Sequence, residues 1–175
     1  DFDLYEDGAL QKIVSFTPPF AQTESRHEGP RQLITLVVDL GGLHPEGLQR
    51  ACEAASRFAQ RAIDSGNEIA IDWVDASLHL GLPFTRDKQR AIAILERLAA
   101  KTPTGVFTAR ERERAQTEID GAKYDPAESG ASANMLRSWL TTANAFQARS
   151  VFVALRALAI SYRTLPGRKT VILFS

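Results

Sequence analysis

The sequence predicts an α/β fold: a doubly wound, mostly parallel sheet preceded by a β-hairpin. Three observations predict it. The run Leu33-Ile34-Thr35-Leu36-Val37-Val38-Asp39 is continuously β-rich, which suits a strand buried on both faces. A helical pattern with apolar spacings of three and four follows directly, and a second strand-like run follows that. The same alternation closes the chain, where a long helical pattern leads into Thr170 to Phe174.

Taken in order, Phe2, Leu4 and Tyr5 precede Asp7-Gly8, and Ile13, Val14 and Phe16 follow it. Asp-Gly between two strand-like runs signals a hairpin, because both residues tolerate positive φ. Pro18-Pro19 ends the second arm, so the lead-in spans 1–19. Residues 20–30 are polar, contain Gly29-Pro30 and read as a linker, so the main domain spans 31–175. After the first central strand, Gly41-Gly42 breaks the pattern and Pro45 opens a helix. Leu48, Ala51, Cys52, Ala55, Phe58, Ala59 and Ala62 mark its buried face, and Ser65-Gly66 closes it. Right-handed crossover places this helix on one face of the sheet. Ile69 to Val74 reads as a second strand, and Ser77 to Leu82 as a shorter third one, joined to it as a hairpin. Thr85 is the expected N-cap of a helix carrying Ala91, Ile94, Leu95 and Leu98, with Asp87 in its first turn. Thr108-Ala109-Arg110-Glu111 fits a capping box for a helix that is polar nearly all round. Residues 121–132 read as a loop, and Asn134 to Thr164 as a long helix ended by Pro166-Gly167.

Composition narrows the function classes. The chain has 175 residues, enough for one self-sufficient core. Twenty-one basic and 21 acidic side chains cancel, which argues against a general basic nucleic-acid binder and against a polyanionic tail. Hydrophobic residues make 44% and charged ones 24%, ordinary globular values that argue against global disorder. No apolar run reaches the length of about 20 residues that a membrane helix needs, and no signal peptide pattern is visible. The chain opens on Asp1 and stops at Ser175 directly after an apolar strand, and so reads as a segment of a longer protein. A last strand left with an unpaired apolar edge would make such a segment less stable and prone to self-association. Cys52 is the only cysteine, so it forms no internal disulfide and reads as a buried structural thiol.

The motifs that carry chemistry are few. No Gly-x-Gly-x-x-Gly, no phosphate-binding Gly-x-x-x-x-Gly-Lys and no Gly-x-Ser-x-Gly elbow is present. His27, His44 and His79 lie at no metal-ligand spacing and read as surface or loop residues. Asp39 stands apart, because it ends the first central strand, and open α/β sheets bind ligands at such ends. Three roles are open to it: a cap for the following loop or helix, an oxygen ligand for a hard divalent cation, or another binding contact.

Three segments together resemble a known family. Asp1 to Gly8 with Gln11 to Phe16, then Leu36-Val37-Val38-Asp39, and finally Leu165-Pro166-Gly167-Arg168-Lys169-Thr170-Val171-Ile172-Leu173-Phe174-Ser175 resemble the acidobacterial VWFA-related domain family. Phe84-Thr85-Arg86-Asp87 adds a further match, while about 101–148 matches least and reads as a helical insertion. The resemblance implies a von Willebrand factor type A-like fold, truncated at its C-terminal end, and a protein-binding role outside the cytoplasm, periplasmic or secreted. It also implies a metal-ion-dependent adhesion site whose first motif is Asp-x-Ser-x-Ser. Here those positions hold Asp39, Gly41 and Leu43, so both hydroxyl ligands are missing and the site is degenerate.

The expectation is therefore a non-enzymatic protein-binding or adhesion-type module with no required cofactor. Its ligand-binding residues would be Asp39, Gly41, Gly42, Leu43, His44 and Thr85. The partner is a protein, with no nucleic acid and no membrane insertion. One alternative is a magnesium- or manganese-dependent adhesion domain with Asp39 and Thr104 as metal ligands, Thr102 being the other candidate threonine. A second alternative is an α/β hydrolase-like enzyme, which requires an acid, a base and a nucleophile in one pocket.

Overall fold

The computed structural model describes residues 4–12, 32–102, 107–122 and 126–175. A short hairpin comes first, with β1 (Leu4–Glu6) antiparallel to β2 (Ala9–Gln11). Asp7 (φ 49°) and Gly8 (φ 81°) form its turn, as the Asp-Gly pair predicts. The second arm starts immediately after the turn, and Ile13, Val14 and Phe16 lie outside the described residues.

The main body is an α/β arrangement with a four-stranded mixed sheet and, among the described residues, four α-helices. Its strands are β3 (Gln32–Asp39), β4 (Glu68–Val74), β5 (Leu78–Thr85) and β6 (Arg168–Phe174), in the order β5-β4-β3-β6. β3 lies parallel to β4 and to β6, and β5 turns back antiparallel on β4. The β4–β5 register shifts on either side of Ile71. Gly81 sits opposite that irregularity, where a Cβ would run into the Trp73 ring and the Ile71 carbonyl.

Alternation along the strands sorts the side chains onto two faces. Leu36, Val38, Ile69 and Ile71 pack with α1 (Pro45–Asp64) and α2 (Lys88–Ala99). α1 buries Leu48, Cys52, Ala55, Ala59, Ala62 and Ile63, close to the stripe its spacing predicts, and Gly66 follows it at φ 84°. On the other face, Val37 and Val74 pack with Ala154 and Leu158 of α4 (Pro126–Ser161). Thr35 on that face donates to the Tyr162 hydroxyl at 2.9 Å. α3 (Ala109–Gly121) lies against α4 and carries the expected capping box, with Thr108 and Glu111 bonding each other's backbone.

Two expectations are corrected. Residues 126–132 are the first turns of α4 and not loop, because proline is tolerated in a helix's opening turn and Pro126 begins this one. α4 also runs unbroken through 148, the end of the segment that matches the family least. Thr85 is not a helix cap, because it ends β5 and Asp87 caps α2 by accepting from the Arg90 amide at 3.1 Å. Thr85 only supports that turn, accepting from the Asp87 amide at 3.1 Å.

Candidate functional site

From β3 the chain steps out to β4 and β5, then returns to set β6 on the other side of β3. The direction of winding thus reverses at β3, and the carboxyl end of a strand at such a reversal borders the crevice where α/β sheets bind ligands. Asp39 is the last residue of β3.

Asp39 is only 2% exposed. Its Oδ1 accepts from the Gly42 amide at 2.9 Å and from Gln147 Nε2 of α4 at 2.5 Å. Arg112 of α3 reaches the same loop and donates from Nη2 to the Gly41 carbonyl at 3.0 Å. Burial pushes the Asp39 carboxyl above the usual range, and the amides of Gly42 and Gly41, the Arg112 charge and Gln147 pull it back down in part. Space is tight at both glycines: a Cβ on Gly42 would overlap the buried Asp39 Oδ2, and one on Gly41 would displace the Gln147 carboxamide from Asp39.

The groups that surround Asp39 are donors. Amide hydrogens, a carboxamide NH2 and a guanidinium suit a carboxylate and oppose a cation, which needs further oxygen acceptors. The described residues around Asp39 therefore favour an internally bonded carboxylate over a magnesium or manganese ligand. Among the described residues no group of three or more His, Cys, Asp or Glu side chains converges as a metal cage. Thr104 lies outside the described residues. The role that the geometry gives Asp39 is that of a loop cap, fixing the turn that leads to α1.

Beyond Asp39 the loop opens onto a cleft of about 200 Å³. Leu43, His44, Pro45, Thr102 and the start of α3 at Thr108 to Arg110 line it. His44 Nδ1 stands 3.8 Å from Glu113 of α3. Of the residues expected at the site, Asp39, Gly41, Gly42, Leu43 and His44 are thus brought together. Thr85 is not: it pairs with Ile69 at the opposite end of β4, whereas Asp39 pairs with Val74. The hairpin reverses the chain, so the end of β5 points away from the end of β3.

A second polar cluster occupies the same sheet edge, on the β4–β5 turn. His79 Nε2 meets Asp75 Oδ1 at 3.0 Å and Ser77 Oγ at 3.3 Å, and its ring stacks on Trp73 with centroids 5.3 Å apart. Burial opposes charge on Asp75, but the Ser77 amide and His79 outweigh it and hold the carboxyl below its usual range. Both partners use the same imidazole nitrogen. A proton relay needs the acid on one nitrogen and the nucleophile on the other, so this trio is not a catalytic triad.

Sequence reasoning missed Arg112 and Gln147. Their distance of 71 and 108 residues from their loop partners leaves no local signal. The only hint is the polar face of the α3 pattern, which suits a helix laid on another surface.

No family model and no curated protein matches this chain.

Proposed function

We propose that this chain is a non-enzymatic protein-binding module on a doubly wound, von Willebrand factor type A-like sheet, with a degenerate adhesion-site loop. The observation that carries the proposal is the set of donors around Asp39. They close the strand-end carboxylate internally and leave Leu43 and His44 at the mouth of the adjoining cleft. The winding reversal at β3 supports recognition at this edge. Among the described residues no helix is long and apolar enough to cross a membrane. On the same resemblance the module works outside the cytoplasm, as part of a secreted or periplasmic protein. The His79 cluster gives the hydrolase alternative no support, because its geometry lacks a relay. The cation-dependent alternative is disfavoured by the missing hydroxyls at positions 41 and 43.

A photo-crosslinking residue at Leu43 tests the proposal, with one at Arg61 near the far end of α1 as control. The expected result is a discrete protein adduct from position 43 alone, equal in magnesium, manganese or EDTA. Adducts that vanish in EDTA would favour the cation-dependent reading. Equal labelling from both positions would overturn recognition at this edge.

A further inference from the structure

α4 carries a chemistry that the strand-end loop does not use. Val151, Ala154 and Leu158 turn toward Val37 and Val74 of the sheet. The opposite side of the helix mixes exposed apolar side chains with uncompensated basic ones. Phe152 is 72% exposed, Val153 60% and Ile160 56%, and Arg149 and Arg156 stand exposed among them. At 100° per residue these five fall within an arc of about 100° centred opposite the buried stripe. Val153 and Ile160 are seven residues apart, and so are Arg149 and Arg156. That is the heptad spacing by which one helix follows another, with an apolar row beside a charged row.

The charge along this part of the chain is one-sided. From Ser129 to Ser175 there are six Lys or Arg and no Asp or Glu. Among the described residues no ion pair reaches Arg149 or Arg156. A symmetric contact with a second copy would set this row of arginines against itself, because a two-fold interface brings the same patch from both sides. Opposite charge must come from elsewhere. The five residues span about 17 Å, roughly three helical turns, which matches a short helix better than an extended strand.

We infer that the outer face of α4 docks an acidic amphipathic helix of a partner protein, its apolar row on Val153 and Ile160 and its carboxylates on Arg149 and Arg156, with Phe152 flanking the arginine row on its other side. Charge complementarity selects the partner and the apolar row holds it. This surface lies on the far side of α4 from the sheet and does not depend on the loop at Asp39.

The test titrates the intact chain with a labelled three-heptad peptide, leucine at its core positions and glutamate beside them. A second peptide replaces glutamate with lysine, and vesicles of phosphatidylserine and phosphatidylcholine form a third arm. The glutamate peptide should bind and the lysine peptide should not. The double variant Arg149→Glu/Arg156→Glu should weaken binding about tenfold or more, and Phe152→Ala should weaken it as well. Arg137→Glu, which lies off this arc, should change it little, with circular dichroism verifying that each variant keeps its helices. Equal binding of both peptides, undiminished binding by the double variant, or binding of vesicles in place of peptide would overturn the inference. Self-association that Phe152→Ala abolishes would also overturn it, by assigning the face to a second copy.

Discussion

Asp39 joins three chain segments through one carboxylate, so its removal should cost more than that of any single partner. Asp39→Ala leaves the Gly42 amide and Gln147 Nε2 without their acceptor and Arg112 without its nearby negative charge. A loss of about 2–4 kcal/mol is expected from denaturant unfolding. Gln147→Ala removes one donor and keeps the loop cap, and should cost about 1 kcal/mol. Asp72 gives a pH signature. It is 3% exposed on the α4 side of β4, accepts from the Gly81 amide at 3.2 Å, and burial lifts its pKa to about 6 from 3.8. The native state therefore holds this proton more tightly than the unfolded chain does. The resulting stability is present below the unfolded value of 3.8 and is lost as pH rises through about 6. Asp72→Asn keeps an acceptor for Gly81 and removes the buried charge. It should gain about 1–3 kcal/mol over the parent at pH 7, with the difference vanishing below about pH 4. Paired unfolding curves across pH check this, and a constant offset between the two proteins would contradict it.

Among the elements, α3 depends most on its ends. Its buried residues are Ala109, Ala115 and Ile119, which offer little apolar area. Thr108→Ala breaks the capping box and should speed amide exchange in the first turns of α3 about fivefold, leaving β3 and β4 unchanged. That box was legible in the sequence because its partners are three residues apart. So were the β1–β2 turn, the doubly buried β3 and the amphipathic face of α1, all of which rest on local spacing. The start of α4 was not legible, because Pro126 and Gly130 look like breakers. Proline only breaks a helix beyond its first turn, and one interior glycine costs about 1 kcal/mol that a 36-residue helix can absorb. Thr85 misled for a related reason. A threonine before a charged helix start resembles a cap, but the chain stays extended for hydrogen bonding with β4 until Thr85 itself. The strand-end loop was visible at Asp39, Gly41 and Gly42, whereas the side chains that close it come from distant helices.

For the molecule as a whole, zero net charge conceals a division. The six basic residues after Ser129 are balanced by an equal acidic excess in the rest of the chain. The basic part includes the outer face of α4, which suits an acidic partner. The central claim is that the carboxylate at the end of β3 is satisfied by the protein's own donors and that recognition at this edge needs no cation. Thermal unfolding of the parent, Asp39→Ala and Gln147→Ala in magnesium, manganese and EDTA tests it most directly, since a ligand of the native state raises the midpoint in proportion to its concentration. The account predicts midpoints for the parent that no cation shifts, and variant midpoints that fall by the same amount in all three conditions. A concentration-dependent rise in the parent that Asp39→Ala abolishes would contradict it.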